Sequence, residues 1–398
     1  GGSCIEDILY LQGSEAVSRM LGARRIPDPT TAGDFLRRFD KENLDALNAV
    51  QDEMHEQVWR QAYGRKKRKV ACVDLDSHVK HIYGEQKEGA DFTYKGGYGY
   101  HPLAITLAGT QEVLRLLNRW GNVNSSEGAA VELEGLFPLL NKHFKTVIVR
   151  GDSAFAKQEI FDVCEENGQH FAVVCPEQKN FPAIAESLCE GAWKPFHSEG
   201  SQPYRRKKLR KRGKNLRRRK ARARGKRDLK LQRQWVAEVE YEPARSESVY
   251  RLIIRRQKIE ESRQGQLFTI YRYRYVLTNL PRSYSAQEVM HLTYRRCDQE
   301  NVIEQLQNGI SAMKMPTGSF VANSAFLVCA RLAFNIKSWL AMLALPAETV
   351  RWEWKRFRLA FVYCAARVVR KARQTIVRIA DSHRFAPVLQ AAIVRLQV

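Results

Sequence analysis

The sequence predicts an α/β fold built on a mixed sheet, and three observations carry that expectation. Apolar, period-two runs alternate with helical segments between residues 70 and 175. A separate stretch, 179–283, holds a basic run followed by three β-rich segments, and helical patterns stand at both ends of the chain. The order of the first stretch is three strands, a helix, a strand, a helix and a strand, which is that of a ribonuclease H-like sheet with helices on its faces.

Taken in order, residues up to about 64 read as helical, in the pieces Ile5–Leu11, Glu15–Leu21 and Phe35–Trp59, with Pro27 and Pro29 marking a turn and Thr31 to Asp34 a helix start. The short pieces around Gly22–Pro29 fit either a helix-turn-helix or plain helical packing. Val70–Asp76 is the first strand, Val79–Tyr83 the second and His101–Leu107 the third. Gly96, Gly97 and Gly99 precede no Lys-Ser/Thr and no helix, so they read as a hairpin turn and not as a phosphate loop. Helix over 127–143, strand over Thr146–Arg150, helix over 157–167 and strand over His170–Cys175 follow. Trp235–Tyr241, Ser248–Lys258 and Leu267–Asn279 form the β-rich insertion. Ser285 with Glu288 makes a capping box that starts a helix running to about Met313. Helices over Ser319–Leu343 and Val350–Ile379 are expected to close the chain.

With 44% hydrophobic residues in 398, the chain can bury two or three cores. Its charge is unusual: 66 Lys+Arg against 43 Asp+Glu gives +23, which favours a polyanionic partner. Residues 205–233 hold 18 Lys/Arg and one acid, Asp228, and so supply +17 of it. The eight cysteines form no C-x-x-C pair and read as reduced thiols of a cytosolic protein. No signal peptide opens the chain, and Gly1-Gly2-Ser3 reads as a linker or a truncated start. The apolar stretch Phe326–Leu345 is broken by Arg331, Asn335 and Lys337, which argues for a buried helix and against a membrane span.

Side chains alternate along a strand, so Cys72, Asp74 and Asp76 share one face, and acids within an apolar strand are costly unless paired or metal-bound. Asp152 follows the apolar run Val147–Arg150 and a glycine; it fits either a functional acid or the N-cap of the next helix. Glu300 lies with Arg296, Glu304 and Gln307 on one side of a helix, a face that alone reads as solvated surface. Carboxylates drawn together would suit Mg²⁺ or Mn²⁺, two of which could serve phosphodiester chemistry; zinc would prefer His/Cys groupings that this chain lacks.

The words around these acids say more than their spacing. Val-Asp-Leu-Asp-Ser (73–77), Tyr-Gly-Glu-Gln-Lys-Glu-Gly-Ala (83–90), His-Pro-Leu (101–103), Arg-Trp-Gly-Asn (119–122), Val-Arg-Gly-Asp-Ser-Ala-Phe (149–155), Leu-Thr-Asn-Leu (277–280) and Tyr-Arg-Arg-Cys-Asp-Gln-Glu-Asn-Val-Ile-Glu (294–304) resemble, in order, the DDE transposases of bacterial insertion sequences, group 1 of the transposase DDE domains. Phe320–Asn323 and Leu332–Asn335 continue the likeness, which covers residues 5–345. The resemblance implies a ribonuclease H-like core and metal-dependent cutting and joining of DNA, with Asp152 as second acid, Glu300 as third, and Asp76 as first with Asp74 its close competitor. It implies Mg²⁺ or Mn²⁺, two ions, as cofactor, and Tyr294 and Arg296 as contacts to the DNA-end phosphate. Three positions depart from the family pattern. His78 stands for the common Thr, and Tyr294 sits one residue closer to Arg296. Gln307 replaces a Lys expected seven residues after Glu300, which leaves that phosphate contact to another residue or impairs activity.

The implied organisation is a helical DNA-binding region at 1–66, catalytic core at 67–178 and 284–345, a basic β-rich insertion at 179–283, and a helical region at 346–398. Arg205, Arg206, Lys207, Lys208, Arg210, Arg217, Arg218 and Arg219 of the basic run read as an arm that follows the DNA backbone or as a solvated charge block. The expected partners are element ends and target DNA, with no membrane, and with a homodimer on DNA in the cytoplasm, at the bacterial nucleoid. Two other readings compete: a decayed, non-catalytic nucleic-acid-binding protein, and a ribonuclease H-like nuclease that hydrolyses without strand transfer.

Overall fold

Val73, Asp74 and Leu75 are all buried, so the first strand, Arg68–Ser77, is covered on both faces at its centre. The computed structural model describes residues 4–64, 66–83, 86–197, 228–244, 248–263, 266–372, 374–380 and 382–396. Two units divide the chain: Gly1–Val147 with Cys297–Val398, and Ile148–Arg296.

In the first unit, Arg68–Ser77 pairs antiparallel with Leu103–Leu107 (Asp74 opposite Thr106, Asp76 opposite Ala104), and that strand pairs with Glu112–Leu117. The third strand of this sheet is therefore Glu112–Leu117, where the sequence pattern pointed to Val79–Tyr83. Glu112 and Arg115 disguise it, because both are buried charges that only tertiary partners satisfy. Arg115 Nη1 and Nη2 each donate to Asp52 at 2.6 Å, and Nε donates to Glu132 at 3.0 Å. Of Val79–Tyr83 only Lys80–His81 is strand, in a small sheet with Asp91–Phe92 and Tyr98–Tyr100. The expected glycine turn lies between the last two, with Gly96 and Gly97 at φ 83° and 78°.

Helices cover this sheet. Asp28 caps Pro29–Arg37 by accepting the Thr31 N–H, which moves the expected start at Thr31 back by one turn. Asp40 caps Lys41–Tyr63. Among the described residues one helix, Phe320–Leu343, is long and apolar enough to cross a membrane. Two of its polar residues are buried and bonded: Arg331 donates to the Leu114 carbonyl, and Asn335 donates to the Val113 carbonyl and accepts the Val113 N–H, the Asn335 bonds both at 2.8 Å. Asn335 thereby takes up backbone groups on the outer strand of the sheet, as a further strand would.

The helix expected over Val350–Ile379 does not form. Trp354–Phe357 and a π-helical turn at Arg358–Val362 give way to a hairpin of Ala366–Lys371 and Gln374–Ile379. Val368, Val369, Thr375, Ile376, Val377 and Ile379 are β-branched, stiff in a helix and at home in a strand.

The second unit holds a mixed sheet. Phe144–Gly151, whose last four residues belong here, runs parallel to His170–Cys175. That strand pairs antiparallel with Gln266–Thr278, which continues to Tyr250–Arg263, Asp228–Tyr241 and the two-residue strand Lys194–Pro195. The three long strands are those that period-two alternation predicts. Helix Gln158–Glu166 covers one face, where Phe161 stacks on Phe171 at 4.1 Å and Tyr250 meets both edge-on. Ser285 and Glu288 form the expected capping box of helix Ala286–Tyr294.

Candidate active site

The first strand delivers Asp74 and Asp76 to one end of its sheet. Asp74 is 1% exposed, whereas Asp76 is half-buried and its Oδ1 accepts the Ser77 N–H at 2.9 Å. Ser77 is held by a histidine. His101 Nδ1 lies 3.0 Å from the Val123 carbonyl, which can only accept, so Nδ1 carries the proton and Nε2, 3.0 Å from Ser77 Oγ, accepts the Ser77 hydroxyl. Burial lowers the His101 pKa and favours this neutral form. Arg119 fixes the histidine in turn. Its Nε donates to the His101 carbonyl at 2.8 Å, and Nη1 reaches the carbonyls of Asn124, Ser125 and Glu127. Burial pushes the Arg119 pKa down to about 10, so the guanidinium stays charged at neutral pH.

Glu300 is exposed on helix Cys297–Glu304, and its neighbour Gln299 is 1% exposed. The Gln299 side-chain amide donates to the Asp74 carbonyl at 2.8 Å and to the Ala104 carbonyl at 3.2 Å. Successive helical residues point about 100° apart. Gln299 therefore docks the helix on the two strands while Glu300 stays open to solvent. Further along, Gly89, at φ 77°, lies so close to Phe320 that a Cβ would come within 2.3 Å of its ring, and Phe320 N–H donates to Glu88. These contacts tie Glu88 and Gly89 to the start of the long helix.

Asp152 lies in the second unit. It is half-buried and caps the short turn Ser153–Phe155, with Oδ1 accepting the Ala154 N–H at 2.9 Å. Gly151 before it leaves room for Phe155, whose Cβ would stand 2.6 Å from an added Cβ. Among the described residues no three His, Cys, Asp or Glu form a group able to hold a metal ion.

A family model described as transposase DDE domain group 1 matches residues 1–398. The chain belongs to that family. A piggyBac transposase synaptic complex with hairpin DNA is a structural neighbour, with a TM-score of 0.34 and 10% identity over 74% of this chain. The chain spans 56% of the length of that protein. No curated protein matches the chain.

For a DDE transposase domain the acids imply a divalent metal ion. Carboxylate oxygens suit a hard cation of that kind. Tyr294 sits in the second unit between two strand arginines: Arg255 lies 5.0 Å and Arg274 5.5 Å from its ring centre, and the two arginines are register partners. Of the departures from the family pattern, His78 is held neutral, its pKa lowered to about 4 by burial and then by Lys95 and Lys80. Gln307 donates to Met313 Sδ. Arg205, Arg206, Lys207, Lys208, Arg210, Arg217, Arg218 and Arg219 lie outside the described residues.

Four contributors carry no role in the sequence reading: His101, Arg119, Gln299 and the pair Arg255 and Arg274. The first two stand inside the family-like words, and the alternation Tyr271-Arg272-Tyr273-Arg274-Tyr275 signals an arginine face. Gln299 also stands inside one of those words, next to Glu300.

Proposed function

We infer that this chain is a transposase that cuts DNA at the ends of an insertion sequence and joins the freed 3′-hydroxyl to target DNA. Family membership across the chain supports the class. The observation that carries the site is the Gln299 bond to Asp74, which docks the Glu300 helix on the strand holding Asp74 and Asp76. Asp76 is the better first acid because it is only half-buried, whereas Asp74 is enclosed. Asp152 and Glu300 serve as second and third.

These carboxylates would hold Mg²⁺ or Mn²⁺, two ions in this reading, which when bound activate the attacking hydroxyl and stabilise the leaving oxygen. The chain's own part is positioning. His101 orients Ser77 next to Asp76, and Arg119 fixes His101. Tyr294 with Arg255 and Arg274 forms a cationic and aromatic surface suited to a DNA-end phosphate, to which Arg296 would add a further cation. The basic run at 205–233 adds salt-dependent affinity for the backbone. Synapsis of two ends calls for two copies, so the reading includes a homodimer on DNA, at the nucleoid of a bacterial cell.

The test is a Mn²⁺-dependent cleavage assay on DNA carrying the sequences that flank the gene. Asp76→Ala, Asp152→Ala and Glu300→Ala are each expected to lose roughly 10³-fold or more in cleavage rate, with DNA binding in EDTA unchanged. Wild-type cleavage by the Asp152→Ala protein would overturn the assignment.

A further inference from the structure

The hairpin of Ala366–Lys371 and Gln374–Ile379 is a two-stranded ribbon, and among the described residues no third strand joins it. Its register sets Arg367 opposite Arg378, Val369 opposite Ile376 and Lys371 opposite Gln374, and these six share one face. Arg367, Lys371 and Arg378 are exposed. Between residues 366 and 379 the sequence has five Lys/Arg and no acid.

Three features of this ribbon work against its own stability. Like charges directly opposite one another repel. A ribbon of two strands is marginal by itself. At its tip Ala372 adopts φ 45°, a conformation ordinary for glycine and costly for alanine. A segment of one charge sign, exposed and locally disfavoured, gains from a polyanion that pairs with its arginines.

Shape selects among polyanions. The major groove of duplex DNA admits a two-stranded ribbon, and strands of six residues are roughly 20 Å long, about the length of six base pairs. The arginine face keeps Val369 and Ile376 half-buried, so it offers charge and no apolar wedge for a lipid surface.

We propose that the Ala366–Ile379 ribbon is a further DNA-binding element, lying along a groove of duplex DNA with Arg367, Lys371 and Arg378 on backbone phosphates. It rests on the reading that DNA is the substrate, and it adds a contact surface distinct from the acids and the basic run.

The experiment measures binding of the full chain to a labelled duplex carrying the flanking ends, in EDTA, by fluorescence anisotropy from about 50 to about 200 mM salt. The Arg367→Gln/Arg378→Gln protein should bind roughly tenfold or more weakly, with the slope of log K against log salt shallower by about two. An Arg367→Lys/Arg378→Lys protein should keep the wild-type slope, and failure to do so overturns the phosphate contact. An unchanged slope and affinity in the glutamine variant overturns the proposal. So does an equal loss on the corresponding single strand, or a loss confined to phosphatidylserine vesicles. Amide hydrogen exchange across the ribbon should be no faster in the glutamine variant; faster exchange there, with loss of binding shared by the lysine variant, would assign these arginines to folding and overturn their role on DNA. Failure of the ribbon leaves Mn²⁺-dependent cleavage standing, and failure of cleavage leaves binding in EDTA standing.

Discussion

Inside the first unit Glu112 meets three donors, Trp59 Nε1, Trp339 Nε1 and His55 Nδ1, at 2.9 to 3.0 Å, while on the ribbon of the same unit Arg367 faces Arg378. Both regions hold charge in an unpromising place. In the interior these groups are answered by hydrogen bonds: burial alone would raise the Glu112 pKa, but the bonds from His55 and Trp59 outweigh it and hold it low. Arg331 donates to Gln51 and Leu114, and Lys337 to the carbonyls of Val350 and Trp352. On the ribbon the charges meet their like. A buried charge bonded by its neighbours is part of the fold, whereas opposed exposed charges are there for something outside it.

That contrast can be broken in four places. Glu112→Leu leaves three buried donors without an acceptor and should cost about 3–5 kcal/mol, read by urea unfolding; a loss under about 1 kcal/mol would mean the network is not what holds the sheet to its helices. The second test uses pH. Burial lowers the Lys337 pKa from 10.5 to about 8, so between those values the unfolded chain binds the extra proton. Stability attributable to Lys337 should therefore be flat below pH 8 and rise as pH climbs through that window. The rise, of order 1–3 kcal/mol, should be absent from the Lys337→Met protein; identical pH profiles would place the ammonium in water.

The ribbon should respond in the opposite sense. Ala372→Gly relieves the positive φ and should stabilise the hairpin by about 0.5–1 kcal/mol, seen as slower amide exchange; faster exchange would show that the turn is not strained. The smallest effect is expected of Arg367→Gln alone, a gain of about 0.2–0.5 kcal/mol by the same measurement, where any interior charge would show a loss.

Much of the proposed site was named from the sequence. Asp76, Asp152 and Glu300 stand in words whose order carries the family, and alternation located the three long strands of the second unit. Two elements were not legible. Glu112–Leu117 was not assigned from the sequence because Glu112 and Arg115 spoil its apolar pattern, and their partners Asp52, His55, Trp59, Glu132 and Trp339 are distant in sequence. The 366–379 segment reads as helix because adjacent valines satisfy either period, and pairing alone decides between them.

What the sequence determined by itself is the chemistry: hard oxygen donors in strand and helix contexts, a cationic surplus, and the family those words belong to. Tertiary structure decided which groups support them. Gln299 reaches Asp74 across 225 positions of chain, and His101 takes a single tautomer because a carbonyl lies on one side of its ring and a hydroxyl on the other. Hydrogen bonds of that kind depend on where the backbone has brought two atoms, and residue type and local spacing do not encode that distance.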